Sequence, residues 1–271
     1  MSITTHCRTD AHVHLTGPDA LESLRRAGIS AVRDAGTKNS AGLALQSASS
    51  EIVIRSAGRA LSKKGGYGGM FGKGFEAEAE IKEEIRALRN AGAGIIKVMA
   101  SGIVSLSDPG TITSGGFGAA ELVAIVNEAN DLGLGVMAHA NGEEAVMSAA
   151  LAGVRSIEHG FFMTERALAE LAKAGIWWVP TIGALERAAA GANVSGDARQ
   201  KIDTIIMQHL AMIRKAHEQG VKLAIGTDAV LPDPRYREYY EAELDYFRQA
   251  GIADKEVEGI ACGSGRELLG L

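Results

Sequence analysis

Residues Glu83 to Gly102 read EEIRALRNAGAGIIKVMASG, and the order of residue types in that stretch decides the fold. Its first half is helical, with good helix formers and apolar residues three and four apart. The helix stops at Gly92, which fits the left-handed position just past a helix end, where a Cβ would clash. A short apolar run then follows without alternation, as expected of a strand buried on both faces. The same punctuation recurs outward in both directions. LESLRRAG leads into ISAVRDAG, LVAIVNEANDLG into LGVMAHANG, and AVMSAALAG into VRSIEHG. ALAELAKAG leads into IWWVPTI, and IRKAHEQG into VKLAIGTDA. The helix-ending glycines are Gly28, Gly92, Gly133, Gly153, Gly175 and Gly220. IVIRSAG, near Ile52, adds a strand after a short helix around Ala41 to Ala48, and DAHVH at Asp10 to His14 opens the series.

Eight strands alternating with helices imply a parallel sheet with right-handed crossovers. The length fits a (β/α)8 TIM barrel in one domain, residues 1–271. A doubly wound open sheet needs no eighth strand, and it usually carries a Gly-rich turn after the first. Here that turn reads LTGPDAL. The segment from about Tyr236 to Leu271 reads as two helices closing the barrel.

The chain is 46% hydrophobic and 23% charged, with net charge −5 and sparse aromatics. That is an ordinary globular composition. There is no basic run to suggest nucleic acid, no apolar stretch long enough to span a membrane, and no secretory signal pattern at the start. Cys7 and Cys262 make no disulfide framework and read as free thiols in a reducing cytoplasm.

The polar residues fall where barrel enzymes place their chemistry, at the C-terminal ends of strands. His12 and His14 share one face of the first strand, close enough to hold one metal ion. Lys97 lies in the fourth strand, His139 in the fifth, His159 in the sixth and Asp228 in the eighth. Burying each without a partner would cost several kcal/mol. A shared metal centre satisfies all six. An ammonium group cannot bind metal, yet among Ile95, Ile96, Val98 and Met99 the Lys97 pKa should fall. The neutral amine can then take up carbon dioxide as an anionic, bidentate carbamate. Other readings of Lys97 are a snorkelling or Asp228-paired lysine and a Schiff-base lysine.

With those residues in view, the sequence resembles the amidohydrolase superfamily, and within it the binuclear branch of imidazolonepropionase-related and prolidase-like hydrolases. DAHVH, AVRDAG, IIKVMASG, MAHANG, SIEHG, VPT and GTDA carry the resemblance, in that order, from about Thr9 to the terminal GRELLGL. The resemblance implies that His12 and His14 bind the more buried of two divalent ions and that carboxylated Lys97 bridges them. His139 and His159 would bind the second ion. Asp228 would bind the first and serve as general base, then general acid. Two cations would lower the pKa of a bridging water from about 16 toward 7, giving a hydroxide that attacks an amide, peptide-like or cyclic amide bond of a small molecule. Zinc is the expected metal.

Relatives usually carry an N-terminal β-sandwich before the histidine pair. The early position of DAHVH suggests a barrel without it and, through exposed apolar surface, a homo-oligomer. Where relatives often show Gly-Gly-His-Gly, this chain has Gly65-Gly66-Tyr67-Gly68, read as a mobile lid whose Tyr67 touches the substrate carbonyl or its oxyanion. Asn141 shares parity with His139 and is read as substrate-binding or loop-capping. Arg235, with Tyr236, Arg237 and Tyr239, could form a carboxylate clamp, against the simpler reading of a charged helix start. Asp34 is expected to support the site from behind. Glu158 has the opposite parity to His159 and should face the helices. His6, His209 and His217 are read as surface residues, and Trp177 and Trp178 as core. Competing functions are a mononuclear deaminase or imidazolone-type hydrolase, a lactone or phosphotriester hydrolase, a Schiff-base lyase using Lys97, and a silent metal-binding barrel.

Overall fold

The computed structural model describes residues 7–194 and 196–271, so His6 lies outside the described residues. The element order is β1 (Arg8–Leu15), α1 (Ala20–Ala27), β2 (Ile29–Asp34), α2 (Ala41–Ala48), β3 (Val53–Ser56), β4 (Ala60–Lys63), β5 (Gly72–Phe75), α3 (Glu78–Asn90), β6 (Ile95–Met99), α4 (Ala119–Asp131), β7 (Gly135–Ala140) and α5 (Glu143–Ala152). There follow β8 (Ser156–His159), α6 (Glu165–Ala174), β9 (Trp177–Val179), α7 (Ile182–Gly191), α8 (Gly196–Glu218), β10 (Lys222–Leu223), β11 (Ala229–Leu231), α9 (Tyr236–Gln249), α10 (Asp254–Gly259), a π-helical turn (Ile260–Ser264) and α11 (Gly265–Leu269). The six glycines that end helices in the sequence all have positive φ, from 66° to 96°. α6 shows the local logic: Thr164 Oγ1 accepts from Ala167 N at 3.3 Å at its start, Gly175 closes its end, and Ala167, Leu168 and Leu171 are buried between. Each of those leucines contributes about 1.5–3 kcal/mol by burial.

Every pairing between these strands is parallel, and the pairs form two arcs, β11-β1-β2-β3 and β10-β9-β8-β7-β6-β4-β5. The expected eight strands are therefore cut into ten segments, and β5 adds an eleventh. At one seam the third strand is split: β3 pairs with β2 and β4 pairs with β6. Between them lies Gly58 at φ 71°, and Gly94 N donates to Ser56 O at 2.9 Å across the seam. At the other seam the eighth strand passes from β10, on β9, to β11, on β1. Its middle stays bonded to β1, with Ala11 N donating to Ile225 O at 2.8 Å and Asp228 N to His12 O at 2.7 Å. β5 is the extra segment: the far end of the expected Gly-rich lid pairs with β4, Ala60 opposite Gly72.

The main core lies between strands and helices, around residues such as Leu24, Ile85, Ile125, Val146, Leu168 and Ile213. A small cluster of Ala35, Ala57, Ile95 and Met137 also packs together; Ile95 and Met137 precede Lys97 and His139 on the same strand faces. α2 spans the expected residues, and the C-terminal segment forms α9 and then a second helical run from α10 through α11.

The cysteines depart from the expectation. Cys7 and Cys262 form a disulfide, with Cα atoms 4.9 Å apart, and no free cysteine remains. The sequence separates them by 255 residues, so nothing short-range signals the pairing. Docking of the π-helical turn onto β1, where Thr9 Oγ1 donates to Ala261 O at 3.0 Å, brings them together. Among the described residues no helix is long and apolar enough to cross a membrane.

Candidate metal centre

His12 and His14 leave β1 on one face, and Asp228 meets them from the eighth strand. Asp228 Oδ1 lies 3.3 Å from His12 Nε2 and 3.1 Å from His14 Nε2. One ligand atom from each of the three falls within 4.8 Å of the others. Gly226 permits this approach, since a Cβ there would sit 2.4 Å from Val179 Cγ1 and 2.9 Å from His12 Cβ. Asp228 itself has φ 53°, a conformation that costs a non-glycine residue energy and is typically held at functional positions. Its side chain keeps 22% of its surface open.

His139 and His159 complete the ring of imidazoles. Their centroids are 4.4 Å apart, and His159 lies 5.2 Å from His12. Each of the four histidines has one nitrogen occupied by the protein. His12 Nδ1 pairs with Glu158 Oε2 at 2.8 Å, and His14 Nδ1 with Gly36 O at 2.6 Å. His139 Nε2 pairs with Gly102 O at 2.8 Å, and His159 Nδ1 with Thr181 Oγ1 at 2.6 Å. Such outer contacts fix ring orientation and leave the other nitrogen for a ligand. Burial, reinforced by Lys97, lowers the pKa of His12 to about 4 and of His139 to about 3, and His159 also falls well below the imidazole range. The rings of His12, His139 and His159 are therefore neutral near pH 7, the form that binds metal. Burial would raise Asp228, but the facing histidines hold it well below the carboxylate range.

Lys97 is 1% exposed, and among the described residues its Nζ has no hydrogen-bond partner and no ion pair with Asp228. Burial pulls its pKa down to about 8 against the opposing pull of Glu158 and Asp228. A buried amine with no partner is costly. Together with four histidines and an ionised Asp228, it fits a site that holds a cation.

Beside these residues lies a cavity of about 140 Å³, lined by Tyr67, Asn141, His139, His159 and Asp228 and walled by apolar side chains including Ile103, Leu106, Phe161 and Leu185. Tyr67 sits 4.9 Å from His139, centroid to centroid, and burial and Asp228 raise its phenol pKa. Asn141 is tied down on three sides. Its Nδ2 donates to Gly102 O at 3.1 Å, its Oδ1 accepts from Phe161 N at 3.0 Å, and its backbone N donates to Ser101 Oγ at 2.9 Å. Arg235 does not line the cavity. It is exposed, 3.7 Å from Asp233, with its guanidinium 5.3 Å from the centre of the Tyr239 ring. Asp34 accepts from Leu15 N, Gly36 N and Ser56 Oγ, and so holds the Gly36 carbonyl against His14.

Two assignments change. Glu158 faces the barrel interior, fully buried, with Oε1 accepting from Arg33 at 2.7 Å and Oε2 on His12. Alternation fails there because His159 has φ 68°, and the parity rule holds only for extended backbone. Burial raises Glu158, but Arg33 and His12 outweigh it and hold the pKa at about 2. His209 is also buried, stacked on Phe161 at 4.2 Å and edge-on to Trp178 at 5.2 Å. Trp178 in turn donates to His159 O at 2.9 Å.

Sequence reasoning missed three things. Asp10 accepts from His12 N, Thr227 N, Thr227 Oγ1 and Tyr236 OH, stitching β1 to the eighth strand. Arg33 spans the interior to Ala11 O, Ser156 and Glu158; an arginine within apolar ISAVRDAG was its signal. The loop after β6 supplies cavity walls at Ile103, Val104 and Leu106.

Comparison with known proteins agrees with this architecture. The model of the amidohydrolase family matches residues 9–266. An ochratoxinase of Aspergillus niger is 32% identical over 158 residues, 57% of this chain and 32% of that protein. An uncharacterized protein of Mycobacterium tuberculosis is 27% identical over 222 residues, 80% of this chain and 58% of that protein. The matched stretch thus spans about a third to under two thirds of these relatives. Among solved structures, a Xaa-Pro dipeptidase with bound methionine superposes with TM-score 0.80 at 26% identity, covering 97% of this chain and 74% of that one. The A. niger ochratoxinase superposes with TM-score 0.81 at 23% identity, covering 97% and 71%.

Proposed function

The chain belongs to the amidohydrolase family, and on that premise we propose that it is a metal-dependent hydrolase cleaving an amide, peptide-like or cyclic amide bond of a small molecule. The observation that carries this reading is the Lys97 amine, buried without a partner amid four histidines and Asp228. Its structural neighbours include a Xaa-Pro dipeptidase and a prolidase complexed with N-methylphosphonate-L-proline, which supports a peptide-like bond.

His12, His14 and Asp228 would hold one divalent ion, and His139 and His159 a second. Lys97 would span them as its carbamate, formed when the neutral amine adds to carbon dioxide and releases a proton. When bound, the ions, for which zinc suits the donors, supply a lowered water pKa and Lewis acidity toward the substrate carbonyl. Asp228, partly open to the cavity, takes the proton of the attacking water and returns it to the leaving nitrogen. Tyr67, kept protonated by burial, donates to the carbonyl oxygen as charge develops on it. Asn141 holds the wall in place. Ile103, Leu106, Phe161 and Leu185 wall the cavity, which suits an apolar group beside the carbonyl.

The compact His12–His14–Asp228 cluster favours a second reading, a mononuclear member of the same family. Metal analysis of protein purified without chelator separates the two. About two divalent ions per chain are expected, and one tightly bound ion selects the second reading. Asp228→Asn should lower hydrolysis of any active amide by roughly 10³-fold. Metal-free protein whose Lys97 is trapped by borohydride with a carbonyl compound would replace both readings with a Schiff-base lyase.

A further inference from the structure

The N-terminal end of the barrel, opposite the metal centre, holds a second cavity of about 440 Å³. It lies among the starts of β6 and β7 and the segment Leu268–Gly270, and no aspartate or glutamate lines it. Arg55 of β3, Arg89 of the last turn of α3 and Arg155 just ahead of β8 all reach it. Each anchors its Nε on a backbone carbonyl: Arg55 on Leu269 O at 3.4 Å, Arg89 on Leu132 O at 3.2 Å and Arg155 on Leu268 O at 3.0 Å. Arg155 adds a bond from one terminal nitrogen to Glu267 O at 3.2 Å. Anchoring through Nε fixes the plane of a guanidinium and leaves terminal N–H groups for a ligand, the edge that matches oxyanions. Arg33 lines the same cavity, but its charge is spent inward on Glu158.

Three oriented cations around a space without carboxylates repel one another, and a chain of net charge −5 has acidic residues to spare for neutralising them. We propose that this cavity binds a compact polyanion through its phosphoryl groups, either inorganic or as a phosphate ester. A phosphoryl group offers three acceptor oxygens and close to two charges, enough to engage three separate guanidinium groups at once. A carboxylate offers two oxygens and one charge. The proposal is independent of the reaction at the other end of the barrel.

Titration calorimetry of the metal-loaded protein with inorganic pyrophosphate tests it. Saturable binding is expected, weakened about 10-fold or more by Arg89→Gln and again by Arg155→Gln, and retained in Asp228→Asn. Arg89 is exposed, so its variant should fold. A parallel titration with ADP separates the sources: equal affinity assigns the inorganic anion, and tighter binding assigns an ester. Binding that survives both arginine substitutions overturns the proposal. Binding lost in Asp228→Asn alone does the same, because the anion would then sit at the metal centre. Citrate binding as tight as pyrophosphate would remove the phosphoryl assignment.

Discussion

Lys97 and Asp10 are both buried ionisable groups of the barrel, and their surroundings are opposite. Asp10 accepts hydrogen bonds from four donors on β1, the eighth strand and α9. Lys97 Nζ has none. Burial shifts both toward neutrality, Asp10 to about 6 and Lys97 to about 8. Burial and a shifted pKa therefore do not separate structure from chemistry here; partnering does. A group the fold has satisfied holds strands together, whereas a group it leaves open awaits something from outside.

The largest test of that contrast is Lys97→Ala. A lysine kept only for chemistry should lower turnover by about 10³-fold or more and reduce bound metal, while thermal stability stays level or rises because an unpaired amine is gone. Loss of folding without loss of metal affinity would place Lys97 with Asp10 instead. The structural side is tested next by the disulfide of Cys7 and Cys262, at the start of β1, the opposite end of that strand from His14. Reducing it, or replacing both cysteines with serine, should cost about 2–5 kcal/mol of stability and leave kcat unchanged. A fall in kcat under reduction would show that the two ends of the barrel are coupled.

Glu243 is an intermediate case that sharpens the rule. Its Oε1 accepts from Gly183 N at 2.6 Å, while its buried Oε2 has no partner. Burial raises its pKa from 4.5 to about 8. A carboxyl whose pKa rises on folding stabilises fully below its unfolded value, and that stability is lost as pH climbs through the folded value. Thermal melts should therefore show stability falling between about pH 4.5 and pH 8. Glu243→Gln should flatten that slope and gain on the order of 2 kcal/mol at its alkaline end. An unchanged slope would mean that Arg187 keeps Glu243 ionised.

Strand ends, residue type and alternation pointed the six candidate ligands to one place, where His12, His14 and Asp228 cluster with His139 and His159 beside them, and α2 was legible from its residues alone. Glu158 was not, because the left-handed backbone at His159 turns two successive side chains inward. The Cys7–Cys262 bond was not, because docking of the π-helical turn onto β1 creates that proximity and local sequence carries no trace of it. Arg235 read as a clamp only while the course of its loop was unknown; it stacks on Tyr239 outside the cavity. His209 read as surface because one polar residue in a helix usually is, yet α8 turns it onto Phe161 and Trp178.

Tyr67 is the finest probe of the same distinction. Its side chain lines the cavity with His139 and Asp228, and burial raises its phenol pKa. Tyr67→Phe keeps the ring and the wall and removes one donor. If that donor meets developing charge, kcat should fall by roughly 10- to 100-fold with KM little changed, since the contact strengthens only in the transition state. A rise in KM at constant kcat would make Tyr67 a wall for the substrate. The effect should stay below that of Lys97→Ala, because Tyr67 touches one oxygen while Lys97 supports the whole centre.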